Sequence, residues 1–75
     1  MMKFNKISQV YRQLNDFIRG ELKRQKMSQK DLGYSLNLSQ QVISKRLMGK
    51  IDWTLWEFIN ALDDLGYEIE IKRKE

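Results

Sequence analysis

Apolar residues recur in steps of three and four near the start of the chain, at Ile7, Val10, Tyr11, Leu14, Phe17, Ile18 and Leu22, which marks one face of a helix. Arg12, Asp16, Arg19, Lys23, Arg24 and Lys26 fall largely elsewhere. The spacing predicts a helix from about Ser8 to Gln25, either continuous or broken near Gly20, because an interior glycine costs about 1 kcal/mol relative to alanine. Residues 1–7 read as a frayed end or as a short strand over Lys3–Ile7. Ser28, with Asp31 three residues on, caps a second helix, Gln29 to Leu36, that turns Leu32, Gly33 and Leu36 inward. Asn37 tolerates the left-handed conformation that stops a helix tightly, and Leu38 fills the corner. Ser39 caps a third helix, Gln40 to about Met48, which buries Ile43, Leu47 and part of Val42 before Gly49 ends it. Thr54 and Glu57 form a capping box, with Trp53 and Phe58 as the hydrophobic staple across it. The fourth helix is expected from Leu55 to Leu65, with Leu55, Phe58, Ile59, Leu62 and Leu65 inward and Gly66 as its stop. The period then changes to two: Tyr67, Ile69 and Ile71 alternate with Glu68, Glu70 and Lys72, a strand signature.

Composition narrows what these elements can do. Seventy-five residues make one small domain, whose chain buries only roughly 60–65% of its extended surface, so a partner subunit would help its core. With no Cys and no His, a disulfide framework, zinc fingers, Cys/His nucleophiles and His proton shuttles are excluded. No apolar run approaches the roughly 20 residues of a membrane span, and no signal-peptide core follows Met1-Met2-Lys3, so the expected location is the cytoplasm. Asp52, Glu57, Asp63 and Asp64 each have a capping or surface explanation; no catalytic group, metal or cofactor is expected. The net charge of +4 hides an asymmetry: residues 1–50 carry eleven Lys/Arg against Asp16, Glu21 and Asp31, a balance of +8, and residues 51–75 carry −4. One half attracts a polyanion and the other repels it.

Two short helices joined by a tight turn, the second with a polar outer face, are a helix-turn-helix, here over residues 28–48. The stretch from Ser28 to Lys45 resembles the Cro/repressor-type helix-turn-helix family, also called XRE. Ser28, Gln29, Leu32, Leu36, Leu38, Ser39, Ile43, Ser44, Gly49 and Lys50 match the family pattern in register, and the resemblance covers about residues 14–66. It implies a mainly α, lambda-repressor-like bundle of four or five helices. Gly33 stands where the family has a small alanine, Asn37 where it has the turn glycine, and Leu22 and Leu47 where some members pair Arg with Glu. After Gly66, where many members have a fifth helix, this chain shows the strand signature over 67–73. Residues 1–13 form an N-terminal extension, with Lys3, Lys6 and Arg12 read as a solvated face, the rival being an arm that contacts the nucleic acid.

The resemblance places the third helix in the major groove of double-stranded DNA, its amino-terminal residues meeting base edges. Those residues are Gln40 and Gln41, with Lys45 one turn later. A glutamine amide matches N7 and the N6 amine of adenine bidentately, Lys45 suits guanine O6 and N7 or a phosphate, and Val42 suits a thymine methyl. Gln29, Ser39, Ser44, Lys50 and Lys30 are the candidate phosphate contacts, Gln29 because it opens a helix whose amides and dipole favour an anion.

A lone strand on a helical domain leaves backbone groups unpaired. Antiparallel self-pairing centred on Glu70 sets Ile69 opposite Ile71 and Glu68 opposite Lys72; centring on Ile71 instead sets Glu70 opposite Lys72 and Glu68 opposite Lys74. Either register gives the expectation of a homodimer through Tyr67, Ile69 and Ile71. An in-chain sheet with residues 3–7 is the rival. Two functional readings follow. One is a homodimeric transcriptional repressor on a pseudo-palindromic operator. The other is an antitoxin-like interaction protein that neutralises a toxin-like partner through the C-terminal strand.

Overall fold

The computed structural model describes residues 2–74, with side chains from Ser8 onward. Four helices follow one another: α1 (Met2–Arg24), α2 (Gln29–Leu36), α3 (Gln40–Leu47) and α4 (Leu55–Asp64). The protein is mainly α-helical, and no strand occurs among the described residues. The core is built from Ile18 and Leu22 of α1, Leu32 and Leu36 of α2, Ile43 and Leu47 of α3, and Trp53, Ala61, Leu62 and Leu65 around α4. Tyr11, Met27, Leu38 and Phe58 pack against it, half-buried. α2 lies on both α3 and α4, and α1 lies on α3.

Capping chemistry fixes where α2, α3 and α4 begin. Ser28 accepts from the Asp31 amide at 3.0 Å while the Asp31 carboxylate accepts from the Ser28 amide at 2.9 Å. Thr54 and Glu57 repeat this reciprocal pair at 3.1 and 3.0 Å. Ser39 caps α3 by accepting from the Val42 amide at 3.2 Å. Each such cap contributes about 1 kcal/mol.

All four helices stop the same way. A residue in the left-handed region follows each one: Lys26 (φ 60°), Asn37 (φ 60°), Gly49 (φ 77°) and Gly66 (φ 92°). The next amide then donates back to the carbonyl five residues earlier: Met27 to Leu22, Leu38 to Gly33, Lys50 to Lys45 and Tyr67 to Leu62, at 2.7–3.0 Å. This double turn satisfies carbonyls that the helix itself leaves open. After α1 and α2 it also throws Met27 and Leu38 onto the core, so these two stops double as packing contacts.

Several expectations are corrected. Residues 3–7 are helical, not a strand, so they offer no in-chain pairing for the tail. Without proline or glycine before Gly20, nothing interrupts the helix, and α1 runs unbroken through both the N-terminal extension and Gly20. Residues 67–74 form no strand; a lone segment has no ladder to join. Leu55 and Ile59 are exposed, not inward. α4 instead seats the small Ala61 beside Leu62 and Leu65, which turns Leu55 and Ile59 to the flank.

The two helical glycines predict opposite responses to one substitution. At Gly20 an added Cβ meets nothing within 4 Å, so Gly20→Ala should stabilise by about 1 kcal/mol through helix propensity. At Gly33 the same Cβ would stand 2.5 Å from the Leu38 carbonyl oxygen and 3.3 Å from Ile43. Gly33→Ala should therefore destabilise by about 1–3 kcal/mol despite the gain in propensity. Urea unfolding of the two variants, monitored by circular dichroism, checks the pair of signs.

Candidate nucleic-acid interface

α3 is held by its inner side and by its C-terminal end. Ile43 and Leu47 are buried in the core. The Arg19 guanidinium, reaching from α1, donates to the Leu47 carbonyl at 2.9 Å and so closes one open carbonyl of the last turn. Arg46 grips Glu57 of α4 with two bonds, Nε to Oε1 at 2.9 Å and Nη2 to Oε2 at 3.2 Å. Both side chains of this pair are only 13% exposed, where a fork-to-fork arrangement is stronger and more directional than an open ion pair. Because Glu57 also accepts from the Thr54 amide, the cap of α4 and the end of α3 share one carboxylate.

That junction carries a pH signature. The Arg46 bonds hold the Glu57 carboxyl below the usual carboxylate range, against the opposing effect of burial. Glu21 is pulled down from 4.5 to about 2, chiefly by its hydrogen bonds from Arg24 and then Gln25. A carboxyl depressed in the folded state contributes stability that is present above its unfolded value and lost as pH falls through its folded value. Stability should therefore hold steady above about pH 5 and decline toward pH 2, following these two groups together with Asp31, which its hydrogen bonds from Ser28 also hold down. Glu57→Gln should lower stability at neutral pH and flatten that acid decline, a contrast readable from urea midpoints across the pH range.

The face of α3 turned away from these fastenings carries the side chains singled out from the sequence. Gln40 and Gln41 occupy its first two positions and Lys45 lies one turn beyond Gln41; all three are exposed. None of them forms a side-chain hydrogen bond or ion pair among the described residues. Val42 is half-buried, which leaves only part of its side chain on the surface. Ser39 is exposed but already spends one lone pair on the cap. Ser44 is half-buried and its hydroxyl sits 3.5 Å from the Met48 sulfur. Lys50 is exposed directly after the Gly49 stop, its amide fixed on the Lys45 carbonyl at 3.0 Å.

On α2, Gln29 is half-buried at the first position and Lys30 beside it is exposed. Gln29 shares an open groove with Arg19, Leu22 and Lys23 of α1 and with Met27. Lys23 was not among the residues singled out from the sequence. It stands on the outward face of α1, and only the packing of α1 beside the start of α2 brings it to Gln29.

The paired basic residues are all arginines, although Arg12 and Arg73 carry no ion pair among the described residues. Arg19, Arg24 and Arg46 are engaged with Asp16, Glu21 and Glu57. Among the described residues, Lys23, Lys30, Lys45 and Lys50 carry no ion pair. The planar guanidinium suits fixed bidentate contacts, and the ammonium on its flexible stem suits a mobile charge facing solvent or a polyanion.

At the opposite end of the sequence Tyr67 is not free of the body: its ring meets Phe17 edge-on, with centroids 5.0 Å apart. Ile69 and Ile71 are exposed. No helix among the described residues is long and apolar enough to cross a membrane. No protein-family model, curated protein or solved structure matches the chain.

Proposed function

We propose that the protein is a sequence-specific, double-stranded DNA-binding regulator of the lambda-repressor-like helix-turn-helix kind, acting in the cytoplasm as a repressor. α2 and α3 form the motif, and α3 enters the major groove. The observation that carries this reading is the outer face of α3: two adjacent glutamines in its first turn and a lysine one turn on, exposed and without side-chain partners among the described residues, on a helix otherwise anchored on its inner side and at its end. A side chain that reads base edges needs that combination of free polar atoms and a rigid mount.

Further support comes from the joint between the helices. Asn37 in the left-handed conformation and the close approach allowed by Gly33 let α3 start with only three residues between it and the end of α2. Gln40 and Gln41 read adenine, Lys45 reads guanine or takes a phosphate, and Val42 offers its exposed part to a thymine methyl. Gln29, Lys30, Ser39 and Lys50 bind phosphates, with Lys23 joining Gln29 in its groove. Ser44 contributes least, because it is half-buried. Two copies about one helical turn of duplex apart would select a pseudo-palindromic operator.

Titration of a labelled random duplex at low and at physiological salt tests the coarse form of this reading. Binding should weaken steeply as salt rises, because each phosphate neutralised releases counterions. Duplex binding absent even at low salt contradicts the proposal.

A further inference from the structure

Between α1 and the segment from Leu47 to Asp52 lies an open cleft of about 440 Å³. Asn15 stands in its wall and is only 3% exposed. The Asn15 carboxamide oxygen accepts from the Trp53 indole at 2.7 Å, which fixes the orientation of the group and leaves its two N–H bonds to donate. Neither meets an acceptor among the described residues, yet every fully buried side-chain nitrogen or oxygen there has a partner. The Asn15 amide nitrogen therefore keeps an opening, and the cleft is where Asn15 meets open space. Tyr11 repeats the arrangement. Its hydroxyl oxygen accepts from the Trp53 amide at 2.9 Å, and its one hydrogen remains to donate. Two neutral donors, each steadied through its oxygen by Trp53, thus line the same cleft.

The charged residues of the cleft select what those donors suit. Arg19 and Asp16 are paired with each other. Arg12 and Asp52 are exposed and carry no ion pair among the described residues. One cation and one anion are thus left open in one small space. A nucleic-acid phosphate would be drawn to Arg12 and repelled by Asp52. A molecule that bears both charges satisfies both residues. Met48, 57% exposed, borders the cleft with an apolar and adaptable side chain.

We propose that this cleft binds a small zwitterion of the free α-amino acid class. Its carboxylate accepts from the Arg12 guanidinium, the Asn15 amide and the Tyr11 hydroxyl, its ammonium donates to Asp52, and its side chain lies along Met48. A concave site with a few convergent polar groups and one apolar wall is the usual form of a small-molecule pocket.

None of these residues is among those proposed to touch DNA, so the inference is independent of that reading, and its test uses the purified full-length chain without DNA. Proton–nitrogen NMR spectra are recorded while the common free L-amino acids are added one at a time. At least one should shift the Asn15 side-chain amide pair and the Gly49 amide saturably, with a Kd of about 1 mM or tighter. The matching amine without the carboxylate, and the matching acid without the ammonium, should each bind about tenfold more weakly or worse. Arg12→Gln and Asp52→Asn alter exposed side chains and should leave the helical circular dichroism unchanged. Each should weaken binding of the best amino acid by about tenfold or more. Absence of a saturable shift with any amino acid overturns the inference. Inorganic phosphate binding as tightly as the best amino acid, or Asp52→Asn leaving that affinity unchanged, overturns it too, since the cleft would then be a plain anion site.

Discussion

Replacing Trp53 by alanine should lower the unfolding free energy by about 3–5 kcal/mol, the largest single-residue loss expected in this protein. The indole is 8% exposed and lies beside Phe58, with ring centroids 6.4 Å apart. Its Nε1–H donates to the Asn15 carboxamide oxygen at 2.7 Å, while its backbone amide donates to the Tyr11 hydroxyl at 2.9 Å. Removing the ring opens a cavity and also strands Asn15, the one polar residue buried in the core among the described residues. An unpaired buried amide adds a further penalty of about 1–3 kcal/mol. A domain of this size has roughly 4–11 kcal/mol in total, so the variant should be largely unfolded near physiological temperature. Urea unfolding of Trp56→Ala supplies the contrast, because that indole is 69% exposed and its loss should change stability by less than about 0.5 kcal/mol. Equal losses for the two tryptophans would contradict the account of the core.

The second large effect concerns DNA. On the cognate duplex, Gln40→Ala and Gln41→Ala should each cost about 1–3 kcal/mol of binding free energy. On random duplex either change should cost little, because an exposed first-turn glutamine contributes no charge. Lys50→Ala should behave in the opposite way, weakening both duplexes alike and reducing the salt slope by about one unit. Folding is not at stake in any of the three, since none of these side chains is buried or hydrogen-bonded among the described residues. Competition titrations with both duplexes at two salt concentrations separate the outcomes. Equal losses on both duplexes for the glutamine variants would remove their base-reading role and leave only general affinity.

The parts of the fold visible in the sequence were those set by neighbours a few residues apart. Ser28, Ser39 and Thr54 act on amides within their own first turn, so the starts of α2, α3 and α4 could be placed to the residue. Asn37 and Gly66 marked their stops for the same reason. Lys26 did not, because a lysine in the left-handed region has no local signature; it is held there by the bond from Met27 to Leu22 and by Met27 reaching the core. What depends on the rotation of one helix against another was harder to see. Leu55 and Ile59 look like core positions by hydrophobicity, yet Ala61 takes the inner seat because its size suits the close approach of α4. The candidate site divides in the same way. The outward positions of Gln40, Gln41 and Lys45 follow from the period of α3 alone. The bracing of that helix by Arg19 and by Arg46 with Glu57 joins residues distant in sequence and needed the tertiary structure; Lys23 and Gln29 are only six residues apart, but their meeting depends on the turn that links α1 to α2. The tail signature, an alternation of apolar and charged residues, describes a capacity for pairing that a single chain leaves unused.

Selection of bound sequences from a random duplex pool, with the purified chain at about 150 mM salt to suppress loose electrostatic binding, tests the central claim most directly. The account predicts recovery of a short motif repeated about a two-fold axis, with adenines at fixed positions that lose their preference in Gln40→Ala or Gln41→Ala. Recovery of a pool no different from its input would contradict it.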